Sequence, residues 1–215
     1  MQTKINLELL NVLKRYNLFG YDYIDEPKIK EINNFNLSLP NNLDDLEQYI
    51  KHCHLCPLSN QNKKLDLGIG NPTSQIYIIG TNNYKSTDVF QLFLDMISNY
   101  LLLDKKDYYL LDILKCDSTN YKLDLKVSKN ICSEFLKKQI ELSNAKLIIT
   151  IGDSFNYLMN LEEDIFSISG NIYSYNNITT VPLFDFEYLY KNPLVKNKMI
   201  NDLNKIKNRL GDVNE

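Results

Sequence analysis

Cys53, Cys56, Cys116 and Cys132 are the only four cysteines of this chain, and their spacing, C-x2-C followed by C-x15-C, reads as one four-thiolate metal site. Thiolate sulfur is a soft ligand, and four of them suit either an iron–sulfur cluster or a structural zinc. Such a metal would fasten an N-terminal segment to the middle of the chain. The first twenty residues interleave charges with apolar residues and contain no continuous apolar h-region, so they do not read as a signal peptide. A cytoplasmic location is therefore expected. In that reducing compartment clustered cysteines favour metal ligation over disulfides; the bland alternative is unconnected core cysteines.

The elements that must position these thiols follow from the pattern of apolar residues. Ile5, Leu9, Leu10, Val12, Leu13 and Tyr16 form a helical stripe ending near Gly20. A proline-containing stretch without clear period follows. Residues 1–40 are thus expected as a helix and linker, and 41–215 as one domain. A second helix is predicted from Leu43 through Leu46, Tyr49 and Ile50 to the first cysteine. Beyond it, QIYIIG, DYYLLDILKC and AKLIITIG are short apolar runs expected as buried strands. The run STDVFQLFLDMISNYLLL reads as a helix with its apolar face at Val89, Leu92, Phe93, Met96 and Ile97, and SKNICSEFLKKQIEL as a helix carrying Cys132. Asp153 stands at a helix N-cap position. NIYSYNNITTVPLF reads as a hairpin turning at Asn176-Asn177. Asn192-Pro193 supplies N-cap and N1 for a long terminal helix. Strands alternating with helices give a parallel sheet covered on both faces. Its chemistry is expected beyond the carboxyl ends of the strands, after Gly80, Leu114, Gly152 and Pro182.

Hydrophobic residues make up 44% of the 215, charged residues 24%, and the net charge is −3. The chain is not a polycation, so any DNA contact must come from a local basic patch. Lys191, Lys196 and Lys198, followed by Lys205, Lys207 and Arg209, make the last segment basic. This is either a solvated helix face or a DNA-backbone contact. Arg15 and Arg209 are the only arginines, which leaves lysine point charges rather than bidentate forks to meet phosphates. No stretch approaches a membrane span, and no membrane partner is expected. The chain is expected to be a monomer.

The stretches CHLCPLS, GIGNPTSQIYIIG, LLDILKCDSTN with Cys132, KLIITIGDSFNYLM and TVPLFDFEYLYKNPLVKNKMINDLNKI occur in an order that resembles the thermophile-type, family 4 uracil-DNA glycosylases. The resemblance covers about Cys53 to Ile206. It implies a three-layer α/β/α sandwich around a four-stranded, mainly parallel central sheet, here with an N-terminal helical extension. It also implies a [4Fe–4S] cluster on the four cysteines (zinc being the alternative), DNA binding, and hydrolysis of the glycosidic bond of a flipped-out uracil.

The same comparison marks departures. The family's G-E-x-P-G motif reads GTNNY here, with Thr81 for the acid and Asn83-Tyr84 for the Pro-Gly turn. The strand-end Asn that hydrogen-bonds uracil falls at Asp112, which cannot donate when ionised. K-C-R-P-P becomes KCDST, with Asp117 and Ser118. The late H-P-x-x-L-L-R motif aligns with Asp185 to Lys191. The only histidines, His52 and His54, both adjoin Cys53, so none can stabilise a departing uracil anion from the late motif. Asp112 and Asp185 are the weak catalytic candidates, as a paired acid/base or metal site; the plainer expectation is that they cap helices or meet solvent. Three readings stand: a glycosylase-like iron–sulfur protein with a degenerate site, an active DNA glycosylase of altered substrate or residues, and a non-DNA protein with a structural four-cysteine site.

Overall fold

The computed structural model describes residues 38–61, 65–80, 88–118 and 124–213. The expected helix at residues 5–16, most of the linker and residues 81–84 of the GTNNY segment lie outside the described residues. From Leu39 onward the chain forms one compact unit.

In chain order the elements are α1 (Leu43–Lys51), α2 (Pro57–Gln61), β1 (Ile69–Gly70), β2 (Ile76–Gly80), α3 (Asp88–Leu101), β3 (Tyr108–Asp112) and α4 (Lys126–Glu141). They continue with β4 (Leu147–Ile151), α5 (Ser154–Met159), α6 (Ile165–Ile168), β5 (Tyr173–Tyr175), β6 (Ile178–Leu183), α7 (Phe186–Lys191), a 3-10 turn (Pro193–Val195) and α8 (Lys196–Val213).

The sheet corrects the expectation of four mainly parallel strands. It is a mixed, six-stranded sheet in the order β1-β3-β2-β4-β6-β5. β3, β2, β4 and β6 run parallel, while β1 pairs antiparallel with β3 and β5 antiparallel with β6. The two additions have local causes. Asn176 and Asn177 take φ of 49° and 66°, the left-handed pair that a tight hairpin needs, and fold β5 back onto β6. β1 is a two-residue strand. It is held where Gly68 and Gly70 let the backbone lie on β3: a Cβ on Gly68 would run into the Tyr109 ring.

Every residue of β2, β3 and β4 is buried, because helices cover both faces of the sheet. Alternate residues face opposite sides. Ile76, Ile78, Leu147, Ile149, Val181 and Leu183 pack with α3 and α8, through Phe93, Ile97, Met199, Leu203 and Ile206. Tyr77, Ile79, Leu111 and Ile148 pack with α1, α4 and α5, through Leu46, Ile50, Phe135, Leu136 and Leu158. The result is an α/β sandwich in which three cysteines are buried in the second layer of core.

Helix α3 departs from its expected face. Phe93, Leu94, Ile97 and Leu101 are buried, whereas Leu92 is 67% and Met96 42% exposed. The helix is rotated so that its stripe meets Phe186 edge-on, ring centroids 6.2 Å apart. Asn192 and Pro193 also act differently from expectation: Pro193 opens the 3-10 turn before α8, and the Asn192 side chain closes α7 by donating to the Tyr188 carbonyl at 3.0 Å.

Leu102, directly after α3, holds φ of 58° with its side chain 76% exposed. Left-handed backbone costs a leucine about 1–2 kcal/mol, and this side chain recovers little by burial. Leu102→Gly is expected to raise stability by about 0.5–1 kcal/mol, after the larger entropy of an unfolded glycine is subtracted. Urea unfolding of Leu102→Gly beside Leu102→Ala checks this. The alanine variant keeps the backbone strain and should show no comparable gain.

Candidate functional site

Two neighbourhoods carry the candidate chemistry, one at the thiols and one at the carboxyl ends of the parallel strands. Cys53 follows α1 and Cys56 immediately precedes α2, so the short C-x2-C turn joins two helices. Cys116 lies just beyond β3, where it forms an isolated bridge with Leu65. Cys132 sits in α4 and faces the core.

The four thiols sense one another. The Cys132 thiol donates to the Cys56 sulfur, which lowers Cys56 to about 5 and keeps the Cys132 proton firmly in place. Ser128 and Ser59 add hydrogen bonds to Cys56. Burial, followed by the charges at Cys56 and Cys53, pushes Cys116 up to about 11. Burial also raises Cys53, which feels Cys56. Among the described residues, no group of three or more His, Cys, Asp or Glu is arranged to hold a metal ion. Four thiols are by chemistry the donors that a soft metal takes, and Cys132 hydrogen-bonds Cys56 while Cys53 and Cys116 feel its charge. His52 and His54 are exposed, and His52 Nδ1 lies 2.9 Å from its own helix's Gln48 carbonyl.

Lys115 joins the two neighbourhoods. It is fully buried, its Nζ donates to the Asp112 carbonyl at 2.6 Å, and its backbone N–H reaches the Cys132 sulfur. Sequence reasoning passed over it, although a lysine at the end of the apolar run DYYLLDILKC was the available signal.

At the strand ends Asp112 closes β3, buried, with its carboxylate resting on the adjacent strand: a Cβ on Gly80 would meet Asp112 Oδ1 at 2.6 Å. Asp185 follows β6 and rests in the same way on Gly152, where φ is +63° and a Cβ would fall 2.9 Å from Asp185 Oδ2. Asp112 and Asp185 thus each cover a glycine at the end of a neighbouring central strand. Asp185 is also the N-cap of α7, accepting the Tyr188 N–H at 2.6 Å. Burial raises its pKa, the Tyr188 hydrogen bond opposes this, and the charges of Glu187 and Asp153 raise it further.

Asp153 occupies the cap position of α5 but does not cap with its side chain. Its carboxylate instead meets Lys129 of α4 at 2.9 Å, and that ammonium also lies 5.3 Å above the Tyr157 ring. The carboxyl edge is therefore acidic at Asp112, Asp153 and Asp185, with Lys129 as a buried counter-charge.

The three lysines considered for DNA have different surroundings. Lys191 pairs with Glu187 at 2.6 Å on the exposed face of α7. Lys196 stands at the start of α8, exposed to solvent. Lys198 is drawn inward, donating to the Ser169 carbonyl at 2.5 Å and to Asp202 at 3.2 Å, and lying over Phe184. Lys207 lies 5.8 Å from the Tyr100 ring centre. No helix among the described residues is long and apolar enough to cross a membrane.

No family model matches the chain. Among curated proteins it is similar to the type-4 uracil-DNA glycosylase of Saccharolobus solfataricus, 27% identical over 187 residues, covering 79% of this chain and 87% of that protein. The type-4 uracil-DNA glycosylase of Thermotoga maritima is 23% identical over 161 residues, covering 70% and 84%. That of Archaeoglobus fulgidus is 24% identical over 119 residues, covering 51% and 59%. These distant similarities support a broad superfamily relationship to the type-4 uracil-DNA glycosylases.

Proposed function

We propose that the chain is a uracil-DNA glycosylase-like protein that binds DNA and carries a [4Fe–4S] cluster on Cys53, Cys56, Cys116 and Cys132, without ordinary uracil excision. The cluster would tie α1 and α2 to β3 and α4. In this reading its contribution is structural, and the chemistry at issue lies at the strand ends.

The observation that carries the loss of excision is the placement of Asp185. The developing charge on a departing uracil is negative, and its stabilisation needs a donor or a positive group. Asp185 offers a carboxylate committed as acceptor to the Tyr188 N–H. Asp112, at the end of β3 and separated from β6 by β2 and β4, is likewise an acceptor when ionised. Both would repel the leaving anion, and both histidines of the chain belong to the cysteine neighbourhood.

A second reading, an active glycosylase for another base, draws support from the raised pKa of Asp185, since burial moves that carboxyl toward the range useful for acid–base work. An acceptor at Asp112 would suit a base presenting an amino donor.

The test is base release by anaerobically prepared, cluster-loaded protein from single-stranded and mismatched oligonucleotides carrying uracil, other deaminated bases and alkylated bases. No uracil release is expected, alongside retained binding. Uracil release above the protein-free control overturns the proposal. Release of another base that disappears in Asp112→Ala or Asp185→Ala moves the assignment to the second reading.

A further inference from the structure

Lys115 is a fully buried lysine that stands one residue before a candidate ligand. It is 1% exposed, and lysine is almost never buried to that degree without a compensating charge or hydrogen bond. Its backbone is fixed from two directions. The N–H donates to the Cys132 sulfur, and the carbonyl accepts from the Asp66 N–H at 2.9 Å. The next residue, Cys116, bridges to Leu65. The side chain is fixed as well, since Nζ donates to the Asp112 carbonyl at 2.6 Å. The lysine is therefore held between the end of β3 and α4, beside the layer of core that contains Cys56, Cys116 and Cys132.

Charge gives this position its meaning. Four thiolates on one zinc ion, or on one oxidised [4Fe–4S] core, make a centre with two net negative charges. Holding a dianion in a protein interior is costly unless positive charge lies close by. The surroundings of the thiols supply little of it. His52 and His54 are exposed, and Lys129 is committed to Asp153 at 2.9 Å. Among the described residues, the cation whose charge is felt at a cysteine sulfur is Lys115, at Cys132. The Asp112 carbonyl is a neutral acceptor, so that hydrogen bond orients the ammonium without cancelling its charge.

We infer that Lys115 is the buried counter-charge of the four-thiolate centre, offsetting part of its negative charge while its backbone N–H hydrogen-bonds the Cys132 sulfur. The inference rests on the four-cysteine metal reading above and deepens it, and it holds for zinc and for an iron–sulfur cluster alike. A buried ammonium favours the more negative state of whatever lies beside it. It thereby strengthens metal binding by thiolates, and in an iron–sulfur centre it favours the reduced form.

The experiment titrates the reduced, metal-free full chain with zinc in competition with a chromophoric chelator. A binding constant compares loaded with metal-free protein, so contacts of Lys115 that both states share drop out of it. Lys115→Met keeps an apolar stem without the charge. Lys115→Gln also keeps a donor for the Asp112 carbonyl, and it carries the test should the methionine variant fail to fold. Both variants should bind zinc roughly ten- to a hundredfold more weakly than wild type. In protein loaded with iron and sulfide, the midpoint potential of either variant should fall below that of wild type. If Lys115→Met binds weakly and Lys115→Gln as wild type, the hydrogen bond rather than the charge matters, and the inference is overturned. Variants that bind zinc as wild type, or that leave the midpoint potential unchanged, overturn it too and leave the four-thiolate site standing. A wild type that takes up neither zinc nor iron with sulfide removes the site and the inference together.

Discussion

Asp202→Ala is expected to destabilise the fold by about 3 kcal/mol, one of the largest single-residue effects in the chain. Asp202 is 1% exposed, on the inner side of α8. Its Oδ2 accepts from Ser169 Oγ at 2.8 Å and from Lys198 Nζ at 3.2 Å, and Lys205 Nζ lies 3.5 Å from Oδ1. The same lysines donate to the carbonyls of Ser169 and Gly170. One carboxylate thus pins α8 to the turn between α6 and β5. Its removal leaves the buried Ser169 hydroxyl without its acceptor and separates two ammonium groups from their common counter-charge. Both lysines keep some access to water, which holds the loss toward the lower end of the range for a broken buried pair.

Gly170 makes the test sharper. Its φ is +74°, and a Cβ there would collide with Asp202 Oδ1. Gly170→Ala alone must therefore displace the carboxylate as well as strain the backbone. In a double-mutant cycle, Asp202→Ala removes the atom that the added methyl would strike. The double variant is expected to be less destabilised than the sum of the singles by more than about 1 kcal/mol, well beyond the scatter of independent sites. Urea unfolding of the four proteins reads this directly. Additive losses would mean that Asp202 and Gly170 are not held against each other.

This junction was not legible in the sequence. Asp202 lies in a lysine-rich helix and reads as one more surface charge; only the approach of Gly170 from a distant turn buries it. The three central parallel strands were legible for the opposite reason. A strand covered on both faces must be apolar throughout, so QIYIIG, DYYLLDILKC and AKLIITIG announce themselves without tertiary information, although the second strand ends at Asp112 instead of running on to Cys116. The hairpin was equally local, because the Asn176-Asn177 pair tolerates positive φ. The edge strand β1 escaped notice because two residues carry no period. Its pairing is set by a contact far along the chain, where Tyr109 lies under Gly68 and its hydroxyl donates to the Leu67 carbonyl at 2.9 Å. On α3 the apolar residues run nearly all the way round, so the period left the buried face undecided, and contact with Phe186 and α8 chose Phe93, Leu94 and Ile97 over Leu92 and Met96. At the candidate site, the identities of Asp112 and Asp185 were readable, while their commitments to Gly80, Gly152 and the start of α7 depend on strand order.

The second large effect is expected at the thiols. A metal that binds the folded state but not the unfolded one adds its binding free energy to stability. If Cys53, Cys56, Cys116 and Cys132 hold one cluster, the ligands act as a unit, and each Cys→Ala variant should lose iron and sulfide together and lose a similar amount of stability. Packing alone predicts a different ranking. Cys132 and Cys116 are buried, while Cys53 is partly exposed, so without a metal Cys132→Ala should cost about 1–2 kcal/mol for lost volume and Cys53→Ala far less. Equal, large losses of melting temperature across the four therefore report a shared ligand, and graded losses report four core thiols. His54→Ala, at an exposed position inside the C-x2-C turn, should leave both metal content and melting temperature near wild type. Iron and acid-labile sulfide in anaerobically purified protein identify the group. Zinc without sulfide would keep the four-thiolate site and reject the cluster, and graded losses with no bound metal would reject the site itself.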